Sequence, residues 1–204
     1  MSIREPYVGE FKKVSLVQFK KDMLKYFGDY FQSAYANEGS IDYAIKSIYD
    51  NIHIPTRGTY GAAGYDFYLP YSVPLDLRAN YVIIPTGIKC EIKEGYSLIL
   101  TPRSSAGIKN GFRLRNTIGV IDSDYYNNES NEGHIMLSCQ IDSYPIEDVV
   151  RKRTYDRDNY TFSTSLTVND RVVQGIFLPY GIAVNDEDSD VITKRQGGSG
   201  STGV

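Results

Sequence analysis

The sequence predicts a mainly β protein that carries an inserted pair of helices near its N-terminus. Beyond Pro55, short runs of β-branched and aromatic residues recur about every ten residues, separated by Gly, Pro and Asn. Before Pro55, apolar residues instead recur at steps of three and four, as on one face of a helix. Regularly spaced short strands are typical of an all-β sandwich, a jelly roll or a barrel.

The two helices are predicted between an N-terminal strand and the first β segment. One runs from Ser15 to about Asn37, and Ser15 followed by Gln18 fits a capping box. The second begins after Ser40 and must end before Pro55, because a residue that precedes proline disfavours helical geometry. The N-terminal strand and the turn between the helices are predicted at Phe11–Val14 and Asn37–Gly39.

The remaining chain is predicted to form one β core followed by an arm. The strand candidates are Tyr65–Leu69, Tyr81–Ile84, Gly87–Ile92, Tyr96–Thr101, Phe112–Leu114, Gly119–Ile121, Gly133–Gln140, Tyr160–Val168 and Val172–Leu178. Residues 141–159 show mixed charge without periodicity, which indicates a surface excursion. A single domain over residues 1–184, with its helical insertion at about 15–52, is expected to end in a mobile Gly- and Ser-rich arm over 185–204.

Composition limits the chemistry that the chain can perform. Its 204 residues include two His, two Cys and no Trp. A zinc site of the Cys and His type would need nearly all four, and they lack the spacing of ligand pairs. Cys90 and Cys139 fall on the apolar side of alternating strands and are predicted to be core residues. Catalysis would therefore use carboxylates, hydroxyls, Arg, Lys or a hard metal ion.

Charge and hydropathy limit the partners. The formal net charge of −3 provides no basic footprint for nucleic acid. No stretch approaches the roughly 18 apolar residues of a membrane span, and residues 1–13 lack the apolar region of a signal peptide. We expect a soluble, cytoplasmic protein without nucleic-acid or membrane partners.

Three segments carry candidate chemistry. Pro102–Gly107 brings an Arg and two hydroxyls to a small-residue turn, which could surround a phosphate or be an ordinary surface turn. Val120–Tyr125 places acids after an apolar strand, where they could hold Mg²⁺, activate water or merely begin a turn. Arg195–Gly203 could wrap phosphates with its backbone N–H groups, but it lacks the Lys of a Walker loop and also fits a flexible linker.

Together these segments resemble the trimeric dUTP pyrophosphatase (dUTPase) family. The five ordered motifs of the family appear as Ala63–Asp66, Pro102–Ser105, Gly119–Tyr125, Asp170–Gln174 and Arg195–Gly203. The approach Ile54–Arg57 and Asn116, three residues before Gly119, match as well. Five matches in order favour a phosphate-binding tail over a linker.

The resemblance implies a dUTPase-like jelly-roll β-barrel and a homotrimer whose active sites combine motifs from neighbouring subunits. It implies hydrolysis of dUTP to dUMP and pyrophosphate with Mg²⁺ as the cofactor, which keeps uracil out of DNA and supplies dUMP for dTMP synthesis. By the same resemblance, Asp122 is the general base that activates water for attack on the α-phosphorus.

The resemblance also implies substrate-binding roles. Asp66 would support the water shell of the metal, unless it is a structural turn residue. Tyr125 would lie against the deoxyribose, unless it is an ordinary exposed strand residue. Arg171 could bind phosphate or pair with an acid across a subunit boundary. Phosphate contacts are implied for Arg103, Ser104, Ser105, Gln174, Arg195, Gly200, Ser201 and Thr202, and uracil contacts for Asn116, Gly119, Val120, Ile121 and Met136.

The sequence departs from the family pattern in four places. Ser199 stands where the fifth motif usually has an aromatic residue that stacks over uracil. Either the arm closes as a weaker lid, another aromatic such as Tyr126 covers the base, or the residue was changed. The longer loop Tyr126–Glu132, the long connection over 141–168 and the helical hairpin resemble the Firmicute and phage branch of the family. These surface additions could pack on the barrel or bind a regulatory protein partner.

The residues favour dUTP hydrolysis over two other functions. A dCTP deaminase shares the fold but uses a site centred on Glu, whereas Val120–Tyr125 has the hydrolase form. A regulatory, protein-binding trimer could use the extra helices and the acidic run Asp186–Asp190, although such runs are usually solvated.

Ser199 provides a test of the lid hypothesis. Stacking of a base on an aromatic side chain contributes roughly 1–3 kcal/mol, so its absence would weaken binding or turnover by about one to two orders of magnitude. We predict reduced but measurable dUTP hydrolysis, improved by Ser199→Phe. Steady-state kinetics in which Ser199→Phe leaves both kcat and KM unchanged would contradict the hypothesis.

Overall fold

The computed structural model describes residues 7–76, 81–141 and 163–184. Its elements in chain order are β1 Gly9–Lys13, α1 Leu16–Ala34, α2 Glu38–Asp50, β2 Thr56–Arg57, β3 Tyr65–Tyr68, β4 Val73–Asp76, β5 Val82–Pro85, β6 Ile88–Ile92, β7 Tyr96–Pro102, α3 Ser104–Asn110, β8 Phe112–Leu114, β9 Gly119–Ile121, β10 Met136–Ile141, β11 Ser163–Leu166 and β12 Arg171–Pro179. A short 3₁₀ turn lies at Ser123–Tyr125. The prediction of a mainly β fold with a helical pair near the N-terminus is confirmed.

The described strands form antiparallel sheets around one core. The largest sheet has the order β2-β3-β12-β7-β9, a second has the order β5-β10-β8, and β1-β6 and β11-β4 form two-stranded ribbons. β12 lies at the centre of the largest sheet, with β3 on one side and β7 on the other. Apolar side chains of these sheets and of both long helices belong to one buried cluster, which includes Phe19, Ile45, Phe67, Leu98 and Val173.

Most predicted elements are present, and the differences have local causes. Asn37 is the N-cap of α2 and not part of a turn, because its side-chain oxygen accepts from the Ser40 N–H at 2.9 Å. The helix therefore begins at Glu38 and not after Ser40. The small-residue segment after Pro102 forms α3 instead of a turn, and Gly111 ends it at φ 62°. β2 and β4 were not predicted, since β2 has only two residues and β4 contains a proline.

The start of α1 is tied to a distant loop. Ser15 Oγ accepts from the Gln18 N–H at 3.1 Å, which confirms the first half of the capping box. The second half is different, because the Gln18 side chain donates to Asp22 instead of returning to Ser15. Glu132 takes that place: its carboxylate accepts from Ser15 N–H at 2.9 Å and from Ser15 Oγ at 2.5 Å. The loop after β9 therefore caps the first helix.

Gly87 allows the helical pair to approach the sheets. Its φ is +73°, and a Cβ at this position would lie 2.2 Å from Ile52 Cδ1. Its carbonyl accepts from the Val14 N–H at 3.0 Å, which joins the strand before α1 to the β5–β6 connection. The helices are thus part of the hydrophobic core and more than a surface addition.

Both cysteines are core residues, as predicted. Cys90 and Cys139 are each 1% exposed, and burial raises the pKa of Cys90 to about 12 and that of Cys139 as well. In the described part of the chain, no helix has the length and apolar character needed to cross a membrane.

The Glu132 cap predicts a pH-dependent contribution to stability. Partial burial opposes ionisation of Glu132, but the hydrogen bonds from Ser15 and the Lys89 ammonium outweigh it and lower its pKa below the ordinary value. A carboxyl whose folded-state pKa is lowered stabilises the protein above its unfolded pKa of about 4.3, and this contribution is lost as the pH falls through the folded pKa. Glu132→Gln should lower the free energy of unfolding by about 0.5–1 kcal/mol at neutral pH.

Urea unfolding at a fixed protein concentration, over a pH series from about 7 to 3, measures this effect. The difference between the unsubstituted protein and Glu132→Gln should shrink as the solution becomes acidic. Glu129→Gln, which changes an exposed acid in the same loop, is the matched control and should show little effect at any pH. A Glu132→Gln difference that stays constant down to the acidic end would contradict the assignment.

Candidate active site

The strand register separates the predicted site residues into two groups at opposite ends of β7. β9 pairs with the early part of β7, so that Ile121 lies opposite Leu98, and Asp122 follows directly. Arg103 comes after the other end of β7 and five residues beyond Leu98, which corresponds to about 16 Å of extended chain. A single chain therefore does not bring Asp122 and Arg103 to one place.

The first group surrounds the buried carboxylate of Asp66. Asp66 lies on β3 and is 5% exposed. Arg103 Nε lies 2.8 Å from its Oδ1, and Arg171 Nη1 lies 3.2 Å from its Oδ2. Two guanidinium groups around one carboxylate leave an excess of positive charge, which favours an anionic ligand.

Gln174 joins this group through the strand register. On β12 it lies opposite Asp66 of β3 and opposite Thr101 of β7, so the three side chains share one face of the sheet. It also packs closely on Gly64, where a Cβ would lie 2.5 Å from Gln174 Oε1. The segments that carry the first, second and fourth motifs therefore meet at this point. Their order in the sequence does not reveal this.

Arg103 is oriented by its neighbours. Its backbone N–H donates to the Val172 carbonyl at 2.9 Å, and its Nη1 donates to the Arg171 carbonyl at 3.4 Å. The contact from Nε to Asp66 and the bond from Nη1 to the Arg171 carbonyl use two of the five N–H donors of the guanidinium group. Ser104 and Ser105 follow on the first turn of α3 and are exposed. A cavity of about 370 Å³ lies beside them, lined by residues that include Arg103, Ser105 and Arg171.

Two of the expected roles change in this geometry. Arg171 pairs with an acid of its own chain, Asp66, whereas the sequence left open a phosphate or an acid across a subunit boundary. Asp66 is a strand residue and not a turn residue, and both of its oxygens already contact guanidinium groups. Within the described ranges, no three His, Cys, Asp or Glu side chains form a metal cluster. A role of Asp66 towards the water shell of a metal ion therefore stays a prediction.

The second group follows β9. Asp122 is half-buried and begins the 3₁₀ turn, where its carbonyl accepts from the Tyr125 N–H at 3.2 Å. Tyr125 is 7% exposed, so it is not an ordinary exposed strand residue. Of the predicted uracil-binding residues, Gly119 is buried against Leu100, Val120 is 51% exposed, Ile121 and Met136 are half-buried, and Asn116 is exposed.

The returning strand differs from the prediction. β10 begins at Met136 and not at Gly133, and it pairs with β5 and β8. Gly133 has a φ of +76°, and a Cβ there would lie 2.6 Å from the Tyr125 carbonyl oxygen. The chain therefore needs glycine here, where it passes directly behind Tyr125.

Asparagine side chains hold the loop Tyr126–Gly133, which lies behind Tyr125. Asn128 Nδ2 donates to the Tyr125 carbonyl at 2.8 Å, and Asn128 Oδ1 accepts from the N–H groups of Ser130 and Asn131. Asn131 Nδ2 donates to the Tyr125 hydroxyl at 2.8 Å. The longer loop thus holds Tyr125 by its backbone and by its hydroxyl.

Tyr126, the predicted alternative cover for a base, packs between two lysines. The Lys12 and Lys89 ammonium groups each lie 5.5 Å from its ring centroid, and Lys12 Nζ donates to its hydroxyl at 3.3 Å. The ring would have to leave these contacts to cover a bound base, so that role stays a prediction. Ser199 and the arm residues Arg195, Gly200, Ser201 and Thr202 lie outside the described residues.

Sequence reasoning missed the buried polar residues behind Tyr125. His134 is fully buried, and its carbonyl accepts from the Tyr125 hydroxyl at 2.9 Å. Its ring contacts Asp22 of α1, which is 5% exposed. The available signals were a lone histidine close after the third motif and an acid among the apolar residues of a predicted helix.

Comparisons with known proteins agree with the family resemblance. The dUTPase family model matches residues 50–131. The chain is 38% identical over 153 residues to the deoxyuridine 5'-triphosphate nucleotidohydrolase of Lactococcus lactis, covering 75% of this chain and 89% of that protein. It is 32% identical over 164 residues to the same enzyme of Hahella chejuensis, covering 78% and 92%.

A solved structure shows the same fold. The dUTPase from phage phi11 of S. aureus superposes with a TM-score of 0.50 at 21% identity, covering 66% of this chain and 87% of that chain. The first, second and fourth motifs converge on Asp66, Arg103 and Arg171, which we call the cationic cluster. An antiparallel β fold with this cluster is that of a nucleotide-binding β protein. The chain belongs to the dUTPase family.

Proposed function

We propose that this protein hydrolyses dUTP to dUMP and pyrophosphate. The observation that carries the proposal is the meeting of three motif segments at Asp66, Arg103 and Gln174, in a chain that belongs to the dUTPase family. The relatives in Lactococcus lactis and Hahella chejuensis are named for the same substrate. In the cell, the activity would keep uracil out of DNA and supply dUMP for dTMP synthesis.

The phosphate side of the site acts by positioning and charge neutralisation. Asp66 holds the guanidinium groups of Arg103 and Arg171 in place, so their remaining donors meet the triphosphate without reorganising during the reaction. Gln174 contacts the α-phosphate region, and the hydroxyls of Ser104 and Ser105 add short donors. Mg²⁺, when bound, neutralises charge on the triphosphate, and Asp66 would contact its water shell.

The second group of residues, which follows β9, performs the proton transfer and binds the nucleobase. Asp122 accepts a proton from the water that attacks the α-phosphorus, and pyrophosphate leaves in line. Tyr125, three residues later, lies against the deoxyribose and leaves no space for a 2′-hydroxyl. The backbone of Gly119, Val120 and Ile121, with Asn116 and Met136, surrounds uracil. Arg195, Gly200, Ser201 and Thr202 contribute further phosphate contacts.

We further infer that the active form is a homotrimer with shared sites. The general base and the phosphate-binding donors must act on one phosphorus atom, with reacting atoms about 3–3.5 Å apart. Within one chain, Leu98, which lies opposite the neighbour of Asp122, is about 16 Å of extended strand away from Arg103. A second subunit that supplies the missing group removes this separation.

Replacement of Asp122 tests the reaction. Asp122→Asn should abolish pyrophosphate release from dUTP, because an amide does not accept the proton of the attacking water, while binding of dUTP should be largely retained. A pyrophosphate-release assay with dUTP, UTP, dCTP and dTTP, with and without Mg²⁺, measures both activity and selectivity. Turnover retained by Asp122→Asn would overturn the assigned base, and equal hydrolysis of all four nucleotides would overturn the assigned substrate.

Mixing two inactive variants tests the shared site. Asp122→Asn and Arg103→Gln should each be inactive alone, and co-refolding them at equal amounts should restore up to about a quarter of the activity per site, if each site combines two subunits. The matched control is a mixture of the unsubstituted protein with the double variant Asp122→Asn/Arg103→Gln. The activity of this mixture measures how completely the subunits exchange. No recovery despite demonstrated exchange would place both groups in the same subunit and contradict the inference.

A regulatory protein partner is a second proposal for the helical pair. A structural neighbour from Staphylococcus bacteriophage 80alpha, with a TM-score of 0.50 and 19% identity, is described as controlling transfer of virulence genes. Since α1 and α2 contribute to the core of this chain, their deletion would also disrupt folding. A loss of partner binding after the deletion would then have two explanations. Val17 and Tyr43, which are 79% and 78% exposed on the two helices, are the positions at which such a surface can be altered cleanly.

A further inference from the structure

We propose that His134 is a positioning residue for Tyr125, and that the inserted helix α1 holds it in place through Asp22. The helical insertion would thereby set the discrimination between dUTP and UTP. This inference rests on the proposed function, in which Tyr125 lies against the deoxyribose.

Both ring nitrogens of His134 are committed. Nε2 accepts from the Gly87 N–H at 2.7 Å. A backbone N–H can only donate, so Nε2 must carry a lone pair and the ring proton lies on Nδ1. Nδ1 lies 2.6 Å from Asp22 Oδ2 and therefore donates to it. The ring is held from α1 on one side and from the β5–β6 connection on the other.

Asp22 is itself held on the helix. Its Oδ2 also accepts from Gln18 Nε2 at 2.7 Å, and both side chains belong to buried residues of α1. They occupy the same face as Phe19 and Met23, which are fully buried. The carboxylate therefore reaches His134 from a helix that is fixed by its apolar neighbours.

The backbone of His134 transmits this placement to Tyr125. Its carbonyl accepts from the Tyr125 hydroxyl at 2.9 Å, and its N–H donates to the Asn131 carbonyl at 2.9 Å. Asn131 Nδ2 in turn donates to the same Tyr125 hydroxyl. A ring locked at both nitrogens thus fixes the carbonyl that anchors the far end of the tyrosine. The near end belongs to the turn that begins at Asp122.

A purely packing role would not require this pair. Burying a carboxylate beside an imidazole is costly unless every donor and acceptor is paired, and an apolar pair of similar size packs equally well or better. Apart from Asp22 and its partner Gln18, the buried residues of α1 are apolar: Phe19, Met23 and Phe31. The polar contact occurs where α1 passes behind Tyr125, which favours a positioning role.

The experiment compares kcat/KM for dUTP with kcat/KM for UTP. Asp22→Leu removes the acceptor for His134 and should lower the ratio of the two values about five- to tenfold. Asp22→Asn keeps an oxygen that can accept from both Nδ1 and Gln18, and should restore most of the ratio. Met23→Ala is the matched control: it leaves a cavity beside Asp22 and lowers resistance to urea, but should not change the ratio.

A double substitution tests whether the effect passes through the hydroxyl. Tyr125→Phe should lower the ratio by itself, and adding Asp22→Leu should lower it no further. Additive effects, an unchanged ratio in folded Asp22→Leu, or an equal fall in Met23→Ala would each overturn the inference. If Asp22→Leu does not fold, an unchanged ratio in Tyr125→Phe overturns it instead. Absence of dUTP hydrolysis by the unsubstituted protein would overturn the proposed function, and this inference with it.

Discussion

The pairing of β12 with β3 on one side and β7 on the other is the constraint on which the site depends. Three motif segments that are distant in sequence become neighbours because they lie on, or directly beside, these three strands. The same ladder extends through β9, so it also determines how far Asp122 lies from the cationic cluster. One hydrogen-bonded register thus both assembles the cluster around Asp66 and keeps it apart from Asp122, the proposed general base.

The cationic cluster shows why a buried charge is tolerated in this sheet. Asp66 would be costly to bury alone, and the contacts from Arg103 and Arg171 compensate for its lost hydration. The carboxylate in turn limits the rotamers of two long side chains that would otherwise be free. Preorganised donors of this kind stabilise developing charge without moving during the reaction. A single buried acid therefore explains the local order of the two guanidinium groups.

Sequence reasoning predicted the helical pair and most of the strands, because their periodicity reflects burial on one face. It failed where a contact from a distant segment decides the local structure. Gln18 fits a capping box, yet Glu132 completes the cap. Asp22 and His134 are ordinary polar residues by pattern, and only the fold shows them to be buried together. The motif residues of the site were predicted by resemblance, but their division into two groups follows from the strand register alone.

The cap on α1 has a consequence for the order in which the chain folds. Ser15 and Glu132 are separated by 117 residues, and Asp22 and His134 by 112. During synthesis the helix leaves the ribosome long before its partners exist, with its apolar face and its buried acid still facing water. Closing so long a loop is entropically costly and slow compared with forming the helix itself. The contacts that complete the cap of α1 and pair its buried acid can therefore form only after the loop behind Tyr125 has been made.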